Sequence, residues 1–220
     1  MNTWDSQARR LAETGLRLGI IRIDPAHPFT WASGCRMPVY NDCRLLLSQA
    51  GIRLDLAESM QARLDSIPYA PGAVAGAATA GIPHATALAN RLQTPLVYVR
   101  PAAKGHGLQN QIEGGDVKGK KLVVVEDLVS TGESALKVVR ALREAGALVD
   151  HCLCIFSYGF PEAGQRFQEE SCRLHPLLTF PFLLEHLKKE GQLDADQVQV
   201  LEDWVQDPFG WAGRHGFAGP

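Results

Sequence analysis

The sequence predicts an α/β fold in which helices flank a central parallel sheet. Short β-prone runs occur at residues 73–76, 96–100, 122–125 and 151–156. Helical patterns at residues 82–92 and 134–144 lie between these runs. Alternation of strand and helix is typical of βαβ units around a parallel sheet. Strands of such a sheet are buried on both faces, which agrees with the continuous apolar run at residues 122–125.

The chain of 220 residues is long enough for one domain with a substantial core. Residues 1–65 contain a predicted helix at 5–18, a hairpin at 29–41 and a second helix that begins near residue 48. Residues 66–175 form the α/β core. Residues 176–220 are expected to be a helical extension, with helices at 182–190 and 195–205. We expect these three parts to form one compact unit.

Composition excludes several classes of protein. The formal net charge of −2 gives no support for a nucleic-acid binder, which would carry a basic excess. The apolar runs are too short to cross a bilayer, and residues 1–10 lack the apolar stretch of a secretion signal. We therefore expect a cytoplasmic protein without a membrane partner.

The five cysteines are an odd set without a Cys-x-x-Cys pair, which favours structural thiols over a zinc or redox site. Cys152 and Cys154 fit alternate positions on one face of a strand.

Residues 122–134 carry the strongest chemical pattern. A buried strand ends in the adjacent carboxylates of Glu126 and Asp127, and a loop of hydroxyl residues with Gly132 then enters a helix. Amides at a helix N-terminus bind anions, and glycine lets the backbone approach a phosphate. The two carboxylates could hold ribose hydroxyls. In the alternative interpretation, Ser130 or Thr131 only caps the helix and the carboxylates are solvated.

Residues 100–115 form a second candidate, a basic loop that follows a strand. Arg100, Lys104 and His106 are interspersed with glycines. Such a loop can close over a diphosphate, neutralise it as a leaving group and exclude water. The alternative interpretation is a charged hairpin tip.

Two further segments are weaker evidence when each is taken alone. Residues 29–44 read as an aromatic hairpin with a turn at Ser33 and Gly34. Residues 76–85 form a loop of small residues, whose exposed amides suit a diphosphate but whose composition also permits close packing of a helix on a sheet. His84 in this segment fits a residue at a helix N-terminus better than a catalyst.

In order along the chain, these four segments resemble the type I phosphoribosyltransferases over roughly residues 29–142. The basic loop and the hairpin resemble those of the orotate phosphoribosyltransferases. The resemblance implies a type I phosphoribosyltransferase fold, in which the hairpin is a hood over the base. It also implies a donor site for 5-phosphoribosyl 1-diphosphate at Arg100, Lys104, His106, Glu126, Asp127, Leu128, Val129, Ser130, Thr131, Gly132, Glu133 and Ser134.

The resemblance further implies transfer of the phosphoribosyl group to orotate in pyrimidine synthesis. Its catalytic residues would be Lys104, His106 and Asp127, and its orotate contacts would be Ser130, Val39 and Tyr40. Mg²⁺ would be held through the donor, with no direct protein ligand. The protein would be a homodimer in which loop 101–115 reaches the neighbouring site.

The chain departs from common family patterns at several positions. Ile82 and Pro101 stand where many members have lysine, and Ala32 stands where some do. Glu133 replaces a hydroxyl residue, and no arginine follows Phe156. Two alternatives therefore stay open: a phosphoribosyltransferase for another base, such as a purine, and a non-enzymatic regulator with the same fold.

Overall fold

The computed structural model describes residues 3–101 and 111–217. The chain begins with α1 (Thr3–Arg17), which presents one apolar face to the core. Four short strands follow: β1 (Ile21–Ile23), β2 (Phe29–Thr30), β3 (Arg36–Met37) and β4 (Val39–Asn41). A 3-10 helix (Cys43–Ser48) then leads into α2 (Ala50–Asp65).

The predicted hairpin is present in this region. Phe29 pairs with Met37 across the antiparallel strands β2 and β3, and Gly34 takes a left-handed φ of 86° in the turn. That conformation costs glycine little because it has no Cβ. After the β2–β3 pair, β4 pairs with β1 and does not extend that pair. We call residues 29–41 the hood hairpin.

A six-stranded sheet forms the centre of the molecule. Its strands are β5 (Ala73–Ala77), β6 (Leu96–Val99), β7 (Ile112–Glu113), β8 (Lys121–Val129), β9 (Leu148–Ser157) and β10 (Arg173–Thr179). Their order is β10-β9-β8-β5-β6-β7, and every pair is parallel except β6–β7. The predicted α/β fold with a mostly parallel sheet is therefore confirmed.

Helices cover both faces of this sheet. The helices α3 (Gly81–Leu92), α4 (Glu133–Glu144) and α5 (Pro161–Glu169) follow β5, β8 and β9. Alternate side chains of β8 enter different cores, because successive residues of a strand point to opposite faces: Val123 and Val125 join one, Leu122 and Val124 the other. Cys152 and Cys154 share one face, as expected, and all five cysteines are free.

The C-terminal region contains α6 (Phe180–Lys189), α7 (Ala195–Gln206) and α8 (Pro208–Arg214). The sequence predicted α6 and α7 but not β10, α5 or α8. Strand β10 belongs to the main sheet, so the expected boundary after residue 175 falls inside a strand. Pro176 obscured it, because proline weakens a strand prediction; β10 is an edge strand, where proline is tolerated. Within residues 3–101 and 111–217, no helix is long and apolar enough to cross a membrane.

An aromatic cluster joins the C-terminal region to the hood hairpin. Trp204 of α7 is completely buried, and its indole Nε1 lies 3.2 Å from the sulfur of Met37 in β3. Its ring meets those of Phe160 and Phe180 edge-on, with centroids 5.3 and 5.1 Å apart. Trp31 of the hairpin lies 6.4 Å from Trp204, also edge-on. This geometry is the favourable one for aromatic pairs.

We expect Trp204→Ala to lower the free energy of unfolding by about 3–5 kcal/mol, because it leaves a large cavity between hairpin and helix. Trp204→Phe should cost clearly less, since part of the ring contact remains. Urea denaturation measures both changes. Phe209→Ala is the control: Phe209 is 49% exposed, so its loss should cost about 1 kcal/mol or less. Equal losses for the two alanine variants would contradict this role of Trp204.

Candidate active site

Three segments of the chain meet around one open cavity of about 310 Å³ at the carboxyl ends of β5 and β8. Open α/β sheets place ligands at this edge. The segments are the end of the hood region, the small-residue loop after β5, and the end of β8 with the start of α4. We call this space the central cavity. Its lining residues are Asn41, Asp42, Cys43, Arg44, Ala78, Thr79, Ala80, Glu126, Asp127, Leu128 and Ser134.

The small-residue loop lies directly against the backbone of β8. A Cβ atom placed on Gly81 would lie 2.4 Å from the carbonyl oxygen of Val125 and 3.3 Å from the Cα of Glu126. Position 81 therefore has room only for glycine unless the backbone shifts. A Cβ on Gly76 would lie 3.0 Å from the Cα of Ile82, so the loop also packs closely on itself. The peptide bond between Ala78 and Thr79 is cis.

Glu126 is a buried carboxyl group next to a second one. Only 6% of its surface is exposed, and burial together with the neighbouring Asp127 raises its pKa above the ordinary value. The backbone N–H of Asp127 donates to one oxygen of Glu126 at 3.1 Å, and the hydroxyl of Ser134 lies 3.4 Å from the other. Asp127 itself is half-buried. The interpretation of both groups as solvated strand-end residues is therefore wrong for Glu126.

The lining of the cavity also contains a paired aspartate and arginine. Asp42 accepts hydrogen bonds from Nε and Nη2 of Arg44 at 2.6 and 2.9 Å, a two-point contact. The hydrogen bond from Arg44 is the largest cause that lowers the pKa of Asp42. The side chain of Arg44 is 64% exposed, so this pair lies at the open side of the cavity.

The turn between β8 and α4 ends at a glycine. Gly132 is the residue at the helix start, with a left-handed φ of 83°, and as a glycine it has no side chain to cap the helix. Capping by Ser130 or Thr131, the alternative interpretation, is therefore not what the described chain shows. Glu133 accepts a hydrogen bond from Arg166 of α5 at 3.1 Å and pairs with Lys137 at 3.5 Å. The side chain of Glu133 is therefore paired with cations. The family pattern has a hydroxyl residue at this position.

Comparison with known proteins gives a consistent result. A model of the family described as the phosphoribosyl transferase domain matches residues 46–172. The orotate phosphoribosyltransferase of Listeria monocytogenes serotype 4b is 41% identical over 203 residues, which cover 92% of this chain and 97% of the relative. The chain belongs to the orotate phosphoribosyltransferase family.

Two further members of the family support the same assignment. The orotate phosphoribosyltransferase of Coxiella burnetii is 40% identical and is matched over 94% of this chain and 99% of its own length. The crystal structure of orotate phosphoribosyltransferase from Aeropyrum pernix has 36% identity and a TM-score of 0.68, and the match covers 84% of this chain and 99% of that one. The type I phosphoribosyltransferase fold expected from the sequence is thereby confirmed.

The twelve donor residues expected from the sequence fall into four groups. Four of them line the central cavity: Glu126, Asp127, Leu128 and Ser134. The end of β8, the turn and the first residue of α4 hold the next five, Val129, Ser130, Thr131, Gly132 and Glu133. Ser130 and Thr131 are half-buried. Arg100 lies at the start of the basic loop, 3.7 Å from the Glu113 carboxylate. Lys104 and His106 lie outside the described residues.

The expected orotate contacts of the hood have their own partners. Val39 is completely buried, and its carbonyl oxygen accepts a hydrogen bond from the indole of Trp31 at 2.9 Å. The guanidinium of Arg22 lies over the ring of Tyr40. The distance from the guanidinium carbon to the ring centroid is 4.8 Å. Among the described residues, the hood region enters the cavity lining at Asn41, directly after these two.

Sequence reasoning missed Asp42 and Arg44. The available signal was a pair of opposite charges two residues apart directly after a predicted strand. Sequence reasoning also missed the structural role of Tyr158. This residue lies just after Phe156, in the region where an arginine is common in the family. Tyr158 packs on Trp31 with centroids 4.8 Å apart and is almost fully buried, so this position supports the hood.

We expect Glu126→Gln to flatten the pH dependence of stability. A raised pKa means that the folded protein keeps a proton which the unfolded chain releases above the ordinary value of 4.5. The free energy of unfolding therefore falls as pH rises above that value, and a glutamine cannot contribute to the fall. Urea denaturation between pH 5 and pH 9 measures it. The exposed Glu144→Gln is the control and should keep the wild-type slope; parallel slopes for all three proteins would contradict the buried, protonated Glu126.

Proposed function

We propose that this protein transfers the 5-phosphoribosyl group from 5-phosphoribosyl 1-diphosphate to orotate. Diphosphate is released and orotidine 5′-phosphate is formed in pyrimidine synthesis. The single observation that carries the proposal is the central cavity itself. It joins the carboxylates of Glu126 and Asp127 to the loop at Ala78–Ala80 in a chain of this family.

In the proposed reaction, the bond between C1 of the ribose and the diphosphate oxygen breaks, and its electron pair leaves with the diphosphate. N1 of orotate, having lost its proton, supplies the electron pair of the new bond to C1. Positive charge grows on the sugar as the old bond loosens. The carboxylate of Asp127, half-buried at the cavity, would stabilise that charge and orient the ribose hydroxyls together with Glu126.

The turn after β8 would hold the 5-phosphate. Backbone amides at the start of α4 and the hydroxyls of Ser130, Thr131 and Ser134 supply donors there, and Gly132 leaves its backbone accessible. Leu128, Val129 and Glu133 would contribute through their backbone only. Ser130 would also contact orotate. Val39 and Tyr40 of the hood hairpin would contact the same base.

Magnesium fits this site as an ion held through the donor. Among the described residues, no group of three or more His, Cys, Asp or Glu side chains is arranged to bind a metal. The carboxylates at the cavity are oxygen ligands, and magnesium is commonly held by few carboxylates together with substrate phosphates. When bound, it would neutralise the diphosphate. Glu126 and Asp127 would hold the ribose hydroxyls of the donor and so would not need to bind the magnesium directly.

The basic loop would act on the leaving group. Lys104 and His106, with Arg100 at the start of the loop, would neutralise the charge that develops on the diphosphate. Residues 112–113 of the expected loop 101–115 belong to β7 of the central sheet. We propose that the part of the loop before β7 reaches the site of a second subunit, so that the working enzyme is a homodimer. A cytoplasmic location, with small-molecule substrates and no nucleic-acid partner, belongs to the same proposal.

Loss of orotate absorbance on mixing with the donor and magnesium tests the reaction. We expect turnover with orotate and none with adenine or hypoxanthine. Turnover of a purine base in place of orotate would overturn the choice of base and leave the donor assignment intact. Absence of turnover with any base, while the donor still binds, would instead favour a non-enzymatic regulator.

We expect Lys104→Ala to lower kcat by about 10²–10³-fold, because a cation that acts on the leaving group is removed from the transition state. Steady-state kinetics measure the change, with the KM for orotate changing much less than kcat. Lys189→Ala, which removes an exposed lysine on α6, is the matched control and should keep wild-type kinetics. An unchanged kcat for Lys104→Ala would remove the loop from the mechanism.

A further inference from the structure

We propose that Arg44 binds the diphosphate of the donor, a role that rests on the proposed function. The diphosphate carries several negative charges and must be neutralised where it lies. The loop at Ala78–Ala80, the expected diphosphate loop, supplies amides but no cation. Ile82, next to this loop, and Pro101, at the start of the basic loop, carry no charge. Among the described residues, Arg100 is the one cation of the expected donor site, so we looked for further positive charge at the central cavity.

The charges around the central cavity identify the residue that supplies it. Its lining includes three carboxyl groups, on Asp42, Glu126 and Asp127. Arg44 is the one lysine or arginine among the described lining residues. A polyanion that enters this cavity meets carboxyl groups, and within the described lining the arginine is the group able to offset its charge.

Asp42 places the guanidinium of Arg44 for this purpose. The two hydrogen bonds of Asp42 use Nε and one N–H of Nη2. A guanidinium has five N–H donors, so three stay available for phosphate oxygens. Because the side chain is 64% exposed, an incoming ligand can reach these donors without displacing a buried group. Asp42 is thus a positioning residue for Arg44.

Two other interpretations of Arg44 are possible, and each predicts a different result. A plain surface ion pair with Asp42 would contribute little to stability and nothing to ligand binding. A contact to the orotate carboxylate would require Arg44 to face the base. The described lining places Arg44 in one cavity with the loop at Ala78–Ala80, and not with Val39 or Tyr40, which favours the diphosphate.

The test compares ligands with and without the diphosphate. Isothermal titration calorimetry would measure the affinity of wild-type protein, Arg44→Ala and Arg44→Lys for magnesium 5-phosphoribosyl 1-diphosphate, ribose 5-phosphate and orotidine 5′-phosphate. Arg91→Ala is the matched control, since Arg91 is an exposed arginine on α3 that donates to Gln61 at 3.0 Å. Circular dichroism and thermal unfolding establish that each variant is folded.

We expect Arg44→Ala to weaken binding of the diphosphate donor by about tenfold to hundredfold, the range for a lost charge-assisted contact. Binding of ribose 5-phosphate and of orotidine 5′-phosphate should stay within about twofold of wild type. Arg44→Lys should recover part of the loss because a point charge remains. If Arg44→Ala does not fold, the donor affinity of Arg44→Lys tests the proposal instead. Arg91→Ala should bind every ligand as wild type does.

Four results would overturn the proposal. Unchanged donor affinity in Arg44→Ala, with wild-type protein turning over orotate, would leave the proposed function intact and reduce Arg44 to a surface ion pair. Selective loss of orotidine 5′-phosphate binding would assign Arg44 to the base. Equal loss for all three ligands would indicate a general structural role. If wild-type protein bound neither donor nor product, the proposed function would fail and this inference with it.

Discussion

The close approach of Gly81 to β8 is the constraint on which the site depends. With a Cβ position only 2.4 Å from the carbonyl of Val125, the chain has no space for a side chain between the small-residue loop and the strand. This contact brings the amides at Ala78–Ala80 to the same edge of the sheet as Glu126 and Asp127. A diphosphate on the loop would therefore lie beside a ribose held by the carboxylates, which is the arrangement needed for breaking the bond between them.

The same closeness explains the electrostatics of the cavity. Because the loop covers the end of β8, Glu126 is buried beside a second carboxyl group, and its charged form is disfavoured. The ligand-free cavity thus carries less negative charge than its composition indicates. A donor with many negative charges can enter such a cavity only where cations offset it. Arg44 lies within the described structure, and the basic loop would supply the rest, so the site is completed by groups from different segments.

The sequence predicted the sheet and the donor segment well because both depend on local patterns. Continuous apolar runs define strands buried on both faces, and a carboxylate pair followed by hydroxyls and glycine is a compact motif. It did not predict β10, whose proline is tolerated only because that strand lies at the sheet edge. It also missed Arg44. The importance of that residue comes from the loop at Ala78–Ala80, more than thirty positions away, and no local pattern records such proximity.

The C-terminal region shows how a tail can serve the site without entering it. Trp204 contacts Met37 and Trp31 in the hood hairpin, and also Phe160 and Phe180 beyond the sheet. The hairpin is short and could not hold its position by strand pairing alone, because β2 and β3 contribute only two residues each. Besides the pairing of β4 with β1, the position of the hood hairpin therefore depends on the aromatic cluster, through which α7 contacts it.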